Sequence, residues 1–148
     1  MKDKRWLPKG VEVERYALEY ERKRLDGHAL VDSIELLGEK ENDLGYDIKS
    51  FENSGSPILD RFIEVKSFAN LYFYWSLHEQ TVAKELGLQY YLYLINYKKM
   101  SDELYSPIII KDPISYFSKS ANWIIEDGRF SLIGDLEIGT ILTQKESQ

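Results

Sequence analysis

Gly45-Tyr46-Asp47-Ile48-Lys49-Ser50-Phe51, the turn-rich Asn53-Ser54-Gly55-Ser56-Pro57, and Arg61-Phe62-Ile63-Glu64-Val65-Lys66 read together as a β-hairpin. In the second arm, alternation places Ile63 and Val65 on one face and Glu64 and Lys66 on the other. In the first arm Tyr46 and Ile48 take the core side, so Asp47 and Lys49 point away from it. Directly opposed residues in an antiparallel pair have a constant sum of residue numbers. For Asp47 opposite Glu64 that sum is 111, which centres the connection between Gly55 and Ser56, where the turn signal is strongest. Keeping Tyr46, Ile48, Ile63 and Val65 together in the core fixes the register, and Asp47 and Glu64 are expected side by side on the same face.

Working outward, Val13, Ala17 and Tyr20 recur at helical spacing, which predicts a helix over residues 11 to about 27 with Gly27 as its stop. Leu30 to Leu37 predicts a first strand, closed by the polar stretch Gly38 to Asp43. Beyond the hairpin a short aromatic strand, Leu71 to Trp75, runs into Ser76-Leu77-His78-Glu79, which has the form of a capping box. The helix it opens carries Val82, Ala83 and Leu86 inward and ends at Gly87. Tyr90 to Ile95 then suits a buried strand. Ile108 to Ile110 predicts another strand, Asp112-Pro113 a helical turn, and Trp123 to Phe130 a hairpin around Asp127-Gly128; the tail Gln144 to Gln148 reads as frayed. The expectation is an α/β (or α+β) fold with a central mixed sheet flanked by helices 11 to 27 and 76 to 86, and one domain over 1–148.

Composition bounds the function. At 148 residues, 43% hydrophobic and with eleven tyrosines, the chain can bury a sizeable core. It has no cysteine, which excludes disulfides, thiolate metal sites and cysteine nucleophiles and suits a reducing, cytoplasmic setting. No apolar run is long enough to span a bilayer, and no signal peptide is expected. The net charge of −6 argues against binding nucleic acid through charge alone. Residues 1 to 24, however, hold eight Lys or Arg against five Asp or Glu, so a basic N-terminal face is open beside the plainer reading of a mixed-charge solvated helix. The two histidines, His28 and His78, form no ligand pair, Ser67 and Ser76 lack a histidine base, and no glycine-rich phosphate loop is present.

Asp47, Glu64 and Lys66 carry the chemistry. Two carboxylates about 5 Å apart repel by roughly 3 kcal/mol at an effective dielectric near 20, and a divalent cation reverses that sign. Hard oxygen ligands suit Mg2+ or Mn2+, which keep waters and bind substrate phosphate, while a neighbouring lysine orients water or holds the phosphate. Acid, acid and lysine so arranged suit phosphodiester hydrolysis. The same spacing also allows ordinary ion pairs on a wetted sheet, Glu64 with Lys66 and Asp47 with Lys49.

These residues resemble the PD-(D/E)XK nuclease pattern, and more closely the domain family found at the C-terminus of the plant protein NO VEIN and in many bacterial proteins. Gly10, Glu14, Ala17 and Tyr20-Glu21 look like that family's first helix, Gly45-Tyr46-Asp47-Ile48 like its second strand, and Arg61 to Lys66 like its third. Phe73 to Ser76, Glu79, Ala83 and Tyr90 to Tyr93 are similar to its later strand, helix and strand. The likeness covers residues 10 to about 96, with 97 to about 143 as a C-terminal extension. It implies a restriction-endonuclease-like αβββαβ core and metal-dependent cleavage of nucleic acid, DNA first, in a restriction, repair or defence setting. It further implies that Asp47 and Glu64 ligate Mg2+ or Mn2+, that Lys66 orients or activates water, and that Glu14 joins as a third carboxylate. The acidic surface leaves DNA capture to a homodimer or a partner protein that supplies basic surface. Two alternatives stay open: a catalytically silent nucleic-acid-binding module on the same fold, and a protein-interaction domain that uses the aromatic strand 72 to 75.

Overall fold

A computed structural model describes residues 6–37, 44–134 and 141–142; the side chains of 6–9 and 141–142 are outside what it describes. The polar stretch Gly38 to Asp43, the tail Gln144 to Gln148 and the basic start Met1 to Arg5 therefore lie outside the described residues.

A six-stranded mixed sheet organises the chain. Its strands are β1 (Glu35–Leu36), β2 (Ile48–Ser50), β3 (Arg61–Ser67), β5 (Tyr90–Ile95), β6 (Ile108–Lys111) and β9 (Ile141–Leu142), neighbours in that order. The β3/β5 and β6/β9 pairs are parallel and the other three antiparallel. Parallel strands need a crossover. Between β3 and β5 this holds β4 (Tyr72–Tyr74) and helix α2 (Leu77–Leu86); β4 joins β8 (Arg129–Leu132) and β7 (Trp123–Glu126) in a separate three-stranded sheet. Helices α1 (Trp6–Arg24) and α3 (Pro113–Lys119) are the other α-helices among the described residues.

Each face of the main sheet has its own core, and strand parity assigns residues to one or the other. Val13 and Ala17 of α1 cover Ile48, Ile63, Val65, Tyr91, Tyr93, Ile95 and Ile109. The other face packs Tyr90, Leu92, Leu94, Ile108 and Ile110 under Ala83 of α2, Tyr116 of α3 and the aromatic rings of the small sheet. β5 is buried along its whole length. With roughly 1.5–3 kcal/mol for each large apolar side chain taken out of water, it is the central beam of the fold.

The hairpin has the predicted register: Ile48 opposes Ile63 and Ser50 opposes Arg61, both pairs summing to 111. Its turn is held by Asn53, which accepts from Ser56 N at 3.1 Å through its carbonyl and from Gly55 N at 2.9 Å through Oδ1. The Ser76–Glu79 capping box, the stop of α2 at Gly87, the Asp112-Pro113 start of α3 and the hairpin around Asp127-Gly128 are likewise present.

Three expectations need correction. α1 begins at Trp6 and not at residue 11, because Pro8 falls in the first turn, where a missing N–H costs no helical bond. The strand expected over Leu30 to Leu37 is a 3-10 turn, Val31–Ser33, followed by only two residues of β1. Ser33 N and Ile34 N are spent on the carbonyls of Leu30 and Val31, so this backbone folds on itself. Tyr46 does not join Ile48: it packs edge-on against Phe62, on the α2 face. β2 becomes regular only at Ile48, so its alternation does not extend back to Tyr46.

Candidate functional site

β2 is regular only from Ile48, so the N–H of Val65 in β3 has no strand carbonyl opposite it. Asp47 Oδ2 accepts that N–H at 2.8 Å, while Asp47 N donates to Ile63 O at 2.8 Å. Asp47 is thereby pinned across the strand from Glu64, and it also ends the ladder. Glu64 and Lys66 project from β3 on the face away from Ile63 and Val65, opposite Leu92 and Leu94 of β5. Lys66 Nζ lies 3.2 Å from Glu64 Oε2. The structure thus brings Asp47, Glu64 and Lys66 together.

A fourth residue enters from α2. Glu79 Oε1 accepts from Lys66 Nζ at 2.9 Å and from Ser76 N at 3.1 Å, and Ser76 Oγ in turn accepts from Glu79 N at 3.0 Å. From sequence Glu79 reads as a cap; the 13 residues and the crossover between it and Lys66 hide its second role. Tyr90 belongs to the same face: its hydroxyl donates to Gly45 O at 2.8 Å, and burial first, then Glu64, Glu79 and Asp47, hinder its ionisation. Parallel register, with Phe62 beside Tyr90, was the signal that could have found it.

The electrostatics are those of crowded acids. Glu64 is 5% exposed, and burial, then the Asp47 carboxylate, push its pKa well above the usual range. Burial also raises Asp47, against the Val65 N–H that favours its charge. Burial works against the Lys66 ammonium, but Glu64 and Glu79 outweigh it and raise the lysine; that ammonium in turn holds Glu79 below its ordinary value despite burial. Three carboxyls share one cation. The centre opens to solvent at Lys66 and Glu79, whose side chains are 17% and 21% exposed.

Glu14 is not assembled with them. It is half-buried on α1, which packs on the Ile63 and Val65 face, while Glu64 and Lys66 point to the other face. Among the described residues no group of three or more His, Asp or Glu could hold a metal ion. Of the expected set of Asp47, Glu64 and Glu14, the first two meet across the hairpin, while Glu14 belongs to the helix on the other face of the sheet. Two carboxylates fall short of a cage built by the protein alone. They are the number that Mg2+ takes when water and substrate phosphate complete its shell.

Other candidates find structural places. His28 is buried, stacked on Phe51 at 4.1 Å, with Nε2 2.9 Å from Ser56 O and Nδ1 2.9 Å from Leu30 N. His78 is exposed in the first turn of α2. In the aromatic strand Phe73 and Trp75 are buried, while Tyr74 is 60% exposed, so the surface that an interaction domain could present reduces to Tyr72 and Tyr74. Arg22 pairs with Glu19 at 2.7 Å and Arg24 with Glu21, so two cations of the expected basic face are matched by acids one turn earlier. Among the described residues no helix is long and apolar enough to cross a membrane.

The family model described as Protein NO VEIN, C-terminal, matches residues 13–107. That span holds α1 from Val13 onward, the hairpin, β4, α2 and β5, and so every residue of the cluster. No curated protein and no solved structure matches the chain.

Proposed function

We propose that this chain, which belongs to the NO VEIN C-terminal family, engages the phosphodiester backbone of nucleic acid at the Asp47, Glu64 and Lys66 centre. The observation that carries this reading is the hairpin register, which sets two carboxylates across one strand pair with a lysine two residues along the same face. Ordinary surface ion pairs do not account for it, because Glu64 is buried beside a like charge. DNA is the substrate class favoured by the nuclease resemblance.

Binding without cleavage fits the described arrangement best. Among the described residues no three ligands for a metal are gathered, and Lys66 is held by Glu64 and Glu79. With its proton retained, Glu64 can donate to a phosphate oxygen, and Lys66 supplies the matching charge. Metal-free binding then weakens as pH rises and Glu64 ionises.

Hydrolysis is the second reading, favoured by the excess of carboxyls over cations. A divalent ion held by Asp47 and Glu64 would supply an acidified water and neutralise the charge that builds on phosphorus. Lys66 would orient the attacking water or steady a phosphate oxygen. Neither reading requires Glu14. Fluorescence anisotropy and gel analysis with labelled single- and double-stranded DNA and RNA, in EDTA, Mg2+ or Mn2+, separates the two. Retention in EDTA with intact strands is the expected outcome. Cleavage that needs metal and is lost in Glu64→Gln establishes the second reading, and retention of none of these nucleic acids overturns both.

A further inference from the structure

We infer that Glu79 is a positioning residue of this centre, aiming the Lys66 ammonium from the first turn of α2; the inference rests on the reading of Lys66 as the phosphate-contacting group. An ammonium has three N–H donors. Glu79 Oε1 at 2.9 Å and Glu64 Oε2 at 3.2 Å engage two of them, from the helix and from the strand respectively. Two fixed anchors on a four-carbon stem define where the third donor points, and the side chain is open to solvent only in part. Glu79 is itself immobilised: its carboxylate accepts Ser76 N, and its own N–H donates to Ser76 Oγ. The capping box therefore does two things. It starts α2, and it holds a carboxylate still so that a lysine 13 residues earlier in the chain is held still as well.

The substitution Glu79→Gln separates these roles, because glutamine also completes a capping box but carries no charge. Lys66 is followed in the full chain by NMR of 13C-labelled lysine side chains as pH is raised. In Glu79→Gln the titration midpoint of Lys66 is expected to fall while the thermal midpoint stays in place. Ser76→Ala is the converse control: it removes the cap's hydroxyl acceptor but keeps the backbone N–H of residue 76 that holds the Glu79 carboxylate, so it should lower the thermal midpoint and leave the lysine titration unmoved. Binding of a fluorescent oligonucleotide should weaken roughly tenfold in Glu79→Gln, as for other residues that orient a contacting group. An unmoved Lys66 titration in Glu79→Gln overturns the inference. So does unchanged or tighter oligonucleotide binding, which would make Glu79 a bystander or a competitor for the lysine. If the wild-type protein binds no nucleic acid, the proposed function falls by itself, and the lysine titration alone decides whether Glu79 holds Lys66.

Discussion

Glu64 is buried beside Asp47 and is compensated by a lysine that it shares with Glu79. A carboxyl whose folded-state pKa is raised keeps its proton where the unfolded chain has lost it, so stability falls as pH climbs from the ordinary glutamate range toward the folded value. Glu64→Gln removes this penalty at the cost of one contact to Lys66. Thermal melts should show the variant at or a few degrees above wild type at pH 8, with the two converging near pH 4. A variant markedly less stable at pH 8 would mean that Glu64 is fully paired. Asp47, Glu64 and Lys66 were readable in the sequence because period-two alternation and one turn fix their side of the sheet. Glu79 was readable only as a cap, since its reach to Lys66 depends on where the crossover sets α2 down. Glu14 was suggested by resemblance alone, and α1 lies against the opposite face.

The element that delivers Asp47 depends on a residue with no side chain. Gly45 sits at φ +89, and a Cβ there would meet Val82 Cγ2 of α2 at 2.7 Å; its carbonyl also accepts the Tyr90 hydroxyl. Gly45→Ala should cost about 3 kcal/mol from backbone strain and overpacking, seen as a lower urea midpoint. A second tie holds the far end of the hairpin. His28 joins the turn after α1 to Ser56 and stacks on Phe51, so His28→Ala should cost about 2–4 kcal/mol, from the lost ring and an orphaned Leu30 N–H. The hairpin itself was legible, having both a pattern and a turn. The segment from Leu30 to Leu37 had pattern without a partner, and strand propensity yields where local turns satisfy the backbone instead. Tyr46 was misplaced for a related reason, since alternation holds only inside a regular strand and β2 starts at Ile48.

At the scale of the molecule, one sheet separates two polar systems. Opposite the candidate site, on the α1 face, buried Arg61 donates to Tyr91 and Tyr93 and pairs with Glu52 at 3.2 Å, while Glu21 accepts from Ser50 and Tyr93. This network ties α1 to β2, β3 and β5. Arg61→Ala removes the buried guanidinium from between Glu21, which keeps Arg24, and Glu52, which keeps Lys111, and should cost about 1–3 kcal/mol in chemical denaturation, a loss that Arg61→Lys does not restore because it lacks the planar fork. None of this showed in the sequence, where Arg61 and Glu21 are 40 residues apart, and neither did the pairing of β4 with the expected β7–β8 hairpin, which tertiary packing brings together into the three-stranded sheet. With a net charge of −6, general attraction contributes little to nucleic-acid binding, so the proposed function makes the centre the place to test. The most direct measurement is therefore an anisotropy titration of labelled DNA with wild type and Lys66→Met, whose unchanged circular dichroism reports an intact fold. Loss of one charge-assisted contact predicts roughly tenfold or more weaker binding in Lys66→Met. Equal affinity in the two proteins would contradict the assignment of this centre as the place where the phosphodiester is engaged.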